Sequence, residues 1–249
     1  MLSTRPIHRC TRPRTVALLE RQHHALVREI ALVAVAALTY FGVRNLTVGA
    51  EAAAFSNADR LTRLEEQAGI AWERPLQAAV LGHDSLPTLF NWIYIWGHWP
   101  VIVTAAILLY RTRPDRYRLL RNAMFLSGAL GFLFFAVLPV APPRLVDPSL
   151  IDTVTLHSEA YRALQPPGLT NQYAAFPSLH FGWNLLLGVA VWGATRNILL
   201  RSLSILGPAA MAAAVVLTAN HFVLDLVGGL VVVLFALWIT RNRYPEPRS

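Results

Sequence analysis

Apolar residues along this chain gather into blocks separated by short polar stretches. Runs with little or no charge cover 90–110, 122–140, 173–195, 202–220 and 222–240, and a shorter one covers 30–43 between Glu29 and Arg44. The five longer runs are near the roughly 20 residues that a helix needs to cross a hydrocarbon core about 30 Å thick. They are read as spanning helices, and 30–43 as a sixth, lengthened by snorkelling of Arg28 and Arg44. A basic leader, a short apolar core and the small residues of "TVGA" also fit a secretory signal peptide. That apolar core lies at the upper edge of a signal's length, which favours a retained helix. The expected fold class is all-α: a polytopic membrane protein with a six-helix transmembrane bundle.

The segment 45–89 is patterned differently. "SNADRLTRLEEQAG" offers Ser56 as an N-cap with Asp59 three residues on, then Leu61, Leu64 and Ala68 on one face, and Gly69 as a stop. It is read as an amphipathic helix at the outer membrane surface. The expected organisation is a basic tail over 1–25, a membrane domain over 26–240 that contains this segment, and a tail over 241–249.

Composition agrees with the spans. The chain has 249 residues, 55% of them hydrophobic and 14% charged, with a mean hydropathy of +0.43, outside the range of ordinary soluble domains. The single cysteine, Cys10, excludes an intrachain disulfide. The net charge of +8 is concentrated in "TRPIHRCTRPR", "YRTRPDRYRLLR", "TRNILLR" and "TRNRYPEPR", between or beyond the spans. There it acts as a topology signal, and nucleic acid is not an expected partner. Taking these segments as cytoplasmic puts both termini inside, and 45–89, 141–175 and 219–222 outside. The outer segments then hold most of the acids: Glu51, Asp59, Glu65, Glu66, Glu73, Asp84, Asp147, Asp152 and Glu159.

With that topology three polar clusters share one face: "PVAPPRLVD" (139–147), "FPSLH" (176–180) and "TANHFVLD" (218–225). In "FPSLH", Pro177 suits the first helical position, and Ser178 and His180 fall in a first turn whose free N–H groups favour an anion. In "HFVLD", His221 and Asp225 are four apart, a spacing that puts both on one helix face. A carboxylate there fixes the imidazole tautomer and leaves the other ring nitrogen free as nucleophile or base. An acid one turn inside a span is costly and implies a function. Arg144 follows two prolines that hold the chain extended, and its guanidinium suits bidentate phosphate binding. The plainer alternatives are a helix cap at Ser178, an anchoring His180, a satisfied polar pair at 221/225 and an interfacial Arg144. Together the residues form a complete set for phosphoryl transfer without a metal.

The order Arg, then Pro-Ser-x-His, then His-x-x-x-Asp, on extracytoplasmic helix ends, resembles the type 2 phosphatidic acid phosphatase superfamily, which shares its core with vanadium haloperoxidases. "PVAPPRL", "AAFPSLH", "TANHFVLD" and "NWIYIWGHWP" make it similar to the branch that includes inositol phosphorylceramide synthases. The resemblance covers about residues 57–240. It implies His221 as the nucleophile, Asp225 as its orienting acid, His180 as the general acid, and Arg144 and Ser178 as phosphate ligands. The first motif lacks the superfamily's usual Lys, and "AAVVLTANH" lacks the usual Arg, so the pocket is less cationic. Thr218 and Asn220 are candidates to replace the lost hydrogen bonds. His98 is read as part of an aromatic belt with Trp92, Tyr94, Trp96 and Trp99, and as a candidate support for the site. His83 and His157 are read as solvated, and Glu65 as able to reach the site.

The expected function is an integral-membrane lipid-phosphate phosphotransferase or phosphatase, with water or an alcohol, including an inositol lipid, as acceptor. Isoprenoid phosphates and diphosphates are also within the substrate range. No metal or other cofactor is expected, since no His, Cys, Asp or Glu group has ligand spacing. A transporter or non-catalytic lipid-binding protein would place polar residues near the bilayer midplane. A vanadium-dependent oxidase would need a wetter, more cationic pocket.

Overall fold

The computed structural model describes residues 27–36, 38–39, 42, 50–157 and 171–243. The expected tail over 1–25 and residues 244–249 of the tail expected over 241–249, with Cys10 and Glu159, lie outside the described residues, as does the side chain of His157; residues 241–243 belong to the last helix. Residues up to Gly42 form one unit and those from Val43 onward another. In the first unit 27–36 is helical, with Ile30, Val33, Val35 and Leu38 exposed.

The second unit is helical, with no β-strand among the described residues. Two helices, α1 (Glu51–Ala68) and α2 (Glu73–Leu81), precede α3 (Leu86–Trp96), α4 (Trp99–Thr112) and α5 (Pro114–Val137). Two short helices follow, α6 (Pro143–Val146) and α7 (Thr153–His157), then α8 (Leu179–Ala194), α9 (Ile198–Leu217) and α10 (Val223–Arg243). By length and composition α5, α9 and α10 can cross a membrane, and α3 with α4 makes a fourth candidate span if the pair counts as one. The chain is a membrane protein, with apolar side chains such as Leu108, Leu206, Val231 and Trp238 exposed on its outer faces.

Several boundaries differ from the hydropathy pattern. The run 90–110 is broken by a 43° bend at Gly97–His98, where Pro100 can give no N–H to the helical ladder. Helix α5 starts at Pro114, so "PDRYRLLR" forms its first turns rather than a loop. Helix α8 has 16 residues because Ser178 caps it late. Helix α1 begins at Glu51, so Ser56 lies inside it and is not its N-cap. Its buried side is Ala54, Ala58 and Glu65, while Leu64 is 54% exposed. Gly69 ends α1 as expected, at φ 70°, a left-handed conformation that costs glycine little.

Helix α8 packs on α9, α5 and α10. Leu186, Leu187 and Ala190 meet Ile102 and Leu109 of α4, Leu119, Leu120 and Ala123 of α5, and Val233 and Leu237 of α10. Two glycine contacts set these crossings. A Cβ at Gly229 would stand 2.4 Å from the carbonyl oxygen of Ser178, and one at Gly188 would stand 2.3 Å from that of Ser204. Pro208 removes the N–H that would close the helical bond to that Ser204 carbonyl, and Gly188 packs against the oxygen left over. Backbone-to-backbone contact at Gly229 brings the start of α8 against the start of α10.

Arginines gather at the opposite end, where α4 meets α5 and α8 meets α9. There Arg113 donates to the Ala194 carbonyl (2.7 Å) and Arg201 donates to that of Thr195 (2.9 Å).

Candidate active site

The three polar clusters meet where α8 and α10 begin and α9 ends. Ser178 is the N-cap of α8, its hydroxyl oxygen accepting from the Phe181 N–H at 3.4 Å, with Leu179 as the first helical residue. Pro177 therefore precedes the cap and does not occupy the first turn, and its peptide bond to Phe176 is cis. The Ser178 N–H donates to the Asp225 carbonyl at 2.9 Å. His180 follows in the first turn.

His221 stands just before α10 rather than on it. Asp225 lies in the first turn of α10 and reaches back, its Oδ2 accepting from the Phe222 N–H at 2.9 Å, as the acid of a capping box does. The same oxygen lies 3.2 Å from His221 Nδ1, and the Ala175 carbonyl lies 2.8 Å from that nitrogen. A carbonyl only accepts, so Nδ1 carries the proton and Nε2 keeps its lone pair. His221 is 4% exposed and Asp225 fully buried.

The His180 ring lies 6.0 Å from the His221 ring and stacks on Tyr94 at 4.7 Å. His98 sits 4.3 Å from His180, ring to ring, and its Nδ1 is 3.1 Å from the Asn184 amide nitrogen. Neither His98 nor Tyr94 belongs to an aromatic belt: both are buried against the site, while Trp92, Trp96 and Trp99 are exposed.

Arg144 lies in the one-turn helix α6, not in an extended stretch. Its Nε is 3.0 Å from Asp152 Oδ2, one terminal nitrogen donates to Asn220 Oδ1 at 2.5 Å, and its backbone N–H donates to the Ala219 carbonyl at 3.1 Å. Asn220 in turn donates to Thr218 Oγ1 at 2.8 Å. Asn220 and Thr218 thus orient the arginine, whose remaining N–H groups are left for an anion.

Polar ties fix the segment that holds Asp152. Gln77 of α2 donates to the carbonyls of Ile151 (2.9 Å) and Leu217 (3.1 Å) and accepts from the Ile151 N–H (2.8 Å). Asn91 of α3 and Thr153 exchange two hydrogen bonds of 2.8 Å. Arg74 pairs with Asp147. Burial works to raise Asp147, but bonds from Arg74 and Ser149 outweigh it and hold the carboxyl below its usual range.

Two acids complete the surroundings. Glu65 Oε1 accepts from the Leu224 N–H at 2.7 Å, and Glu73 Oε1 accepts from the Val223 N–H at 2.9 Å. Burial, set against the Leu224 bond and reinforced by Glu73, pushes the Glu65 carboxyl up to about 8. Asp152 and Glu73 have no motif of their own in the sequence, whereas Tyr94 lies within "NWIYIWGHWP".

Of the sequence-predicted residues, His221, His180, Asp225, Arg144, Ser178, Asn220, Thr218 and His98 all come together, and His83 is exposed at a distance from them in the chain. No curated protein and no solved structure matches the chain significantly. A family model described as the PAP2 superfamily matches residues 59–239, from within α1 through nearly all of α10. The chain belongs to the PAP2 superfamily, a group made up mostly of phosphatases.

Proposed function

We propose that this protein is an integral-membrane lipid-phosphate phosphotransferase or phosphatase that works through a phosphohistidine at the outer membrane face. His221 Nε2 attacks phosphorus while the bond to the leaving alkoxide breaks, and a protonated His180 gives that oxygen its proton. Water or an alcohol, deprotonated by His180, then attacks phosphorus, and the P–N bond breaks to restore His221. Asp225 and the Ala175 carbonyl hold the ring and stabilise its charge. Arg144, aimed by Asn220, Thr218 and Asp152, holds the phosphate oxygens, and the Ser178 hydroxyl is a further donor. His98 supports the His180 ring.

The observation that carries this reading is the His180–His221 pair, with rings 6.0 Å apart and the Nδ1 of His221 already engaged. Six spans with both termini cytoplasmic are supported by the arginines gathered at the end opposite the histidines, as the positive-inside rule requires. Similarity to the inositol phosphorylceramide synthase branch fits a pocket whose one arginine among the described residues, Arg144, is paired with Asp152, which suits a singly charged phosphodiester.

The test is turnover by the purified protein with phosphatidic acid, phosphatidylinositol and an isoprenoid diphosphate, each with and without an alcohol acceptor and with chelator. Wild-type protein is expected to form an acid-labile phosphoenzyme. His221→Ala is expected to lose both the label and turnover, and full activity in that variant overturns the scheme.

A further inference from the structure

Two buried carboxyls in the site have no step in the reaction. Glu65 of α1 is 1% exposed and Glu73 of α2 is 6% exposed. Both reach the same place, the first turn of α10. There the N–H groups of Phe222, Val223 and Leu224 end in succession on Asp225, Glu73 and Glu65. These are donors that a helix cannot satisfy internally, and here three carboxyls from three helices take them. Their donors are adjacent amides, so the two carboxyls face each other, and Glu73 adds to the burial that pushes Glu65 up. Two like charges side by side out of water repel, which favours a proton on one of the two.

We propose that Glu65 and Glu73 are positioning residues, a proton-sharing pair that fixes the first turn of α10 and so aims the Asp225 carboxylate at His221. The proposal rests on the reading of His221 and Asp225 as nucleophile and orienting acid. Asp225 has little freedom of its own: its Oδ2 must serve the Phe222 N–H and the His221 ring at once. A shift of the turn that carries Phe222 and Asp225 would break that double contact. Helices α1 and α2 hold the turn through the amides of Leu224 and Val223.

The shared proton has a second effect. The charged groups facing Glu65 are Glu73 from α2 and Asp225 from α10. Beyond Asp225 lies His221, and Arg144 reaches the same loop through Asn220. While Glu65 keeps its proton, this end of α10 meets one negative charge fewer. Loss of the proton as pH rises through about 8 sets the pair in repulsion with itself and with Asp225. Turnover then falls on the alkaline side.

The test uses the full-length protein with the best substrate of the panel above. Glu65→Leu removes the acceptor at similar size and is expected to lower kcat on the order of 100-fold with KM little changed, as misplacement of a reacting group does. Glu65→Gln keeps an acceptor for Leu224 and donates to Glu73 without a titrating proton. It is expected to recover most of the lost kcat and to lack the alkaline fall. An infrared band of a buried protonated carboxyl, present in wild type near pH 7, is expected to vanish in Glu65→Gln. A kcat unchanged in Glu65→Leu overturns the proposal. If that variant does not fold, an alkaline limb or carboxyl band that survives in Glu65→Gln overturns it instead. Should His221→Ala keep its turnover, or wild type turn over nothing in the panel, the nucleophile reading falls and takes this role with it. An inactive His221→Ala beside an unaffected Glu65→Leu sinks the pair alone.

Discussion

The Arg144 guanidinium brings its own counter-ion, with Nε 3.0 Å from the Asp152 carboxylate. An arginine so paired is held in one orientation but offers less net charge to a phosphate. Replacing the acid with Asn keeps an acceptor for Nε and removes the opposing charge. Asp152→Asn is expected to lower KM for doubly charged phosphomonoesters by roughly twofold to fivefold, the range for one partly exposed charge. Singly charged phosphodiesters should gain less. Steady-state kinetics with a matched pair of lipids checks this, and equal gains for both would show that charge is not the discriminator.

Two acceptors meet at His221 Nδ1, and this sets a limit on what Asp225 contributes. Where a carboxylate alone fixes the tautomer, its amide variant costs about 10⁴ in kcat. Here the Ala175 carbonyl lies closer, at 2.8 Å against 3.2 Å. Asp225→Asn is therefore expected to lose only about 10²-fold, as loss of charge stabilisation without loss of tautomer. Rapid-quench measurement of phosphoenzyme formation gives the number.

The general-acid role proposed for His180 makes its importance depend on the leaving group. With a lipid alkoxide, His180→Ala is expected to slow phosphoenzyme formation about 10²- to 10⁴-fold. With nitrophenyl phosphate, whose leaving group needs no proton, the same variant should be close to wild type in that step. An equal loss on both substrates would assign His180 to binding instead.

The α8–α10 crossing leaves no room for a side chain at Gly229, since a Cβ would stand 2.4 Å from the Ser178 carbonyl oxygen. Gly229→Val is expected to cost about 1–3 kcal/mol by overpacking. It should also abolish activity, because the helix starts that carry His180 and Asp225 are pushed apart. Thermal unfolding in detergent and the turnover assay report the two effects separately.

Glu65 also gives stability a pH dependence. Its carboxyl titrates near 4.5 in a free chain and near 8 when folded. Between those values the unfolded chain has released a proton that the folded protein keeps, so stability falls as pH rises from about 4.5 to about 8 and then levels. The thermal midpoint is expected to follow that slope in wild type and to flatten in Glu65→Gln. An identical slope in both would assign the effect to other groups.

The residues that converge at the candidate site were largely legible in the sequence because each sits in a local signature: a Pro-Ser start, a His four before an Asp, an Arg after two prolines. Their convergence followed from hydropathy, which places all three on helix ends at one depth. Local geometry was less readable. Nothing in "FPSLH" says that Ser178 rather than Pro177 begins the helix, and the 43° bend at Gly97–His98 is hidden inside one apolar run. Tyr94 and His98 look like interfacial aromatics because composition does not tell an inward ring from an outward one. Glu65 and Glu73 were hardest to read: on amphipathic helices acids are expected outside, and only contact with the bare N–H groups of α10 turns them inward.

Those two glutamates bear on how far the protein can be trimmed. A shortened chain that starts after residue 81 would retain every signature residue from Arg144 to Asp225. It would still expose the amides of Val223 and Leu224 and lack Gln77, which ties Ile151 to Leu217. On the function proposed here, the smallest autonomous catalyst includes α1 and α2, which on hydropathy alone look like dispensable periphery.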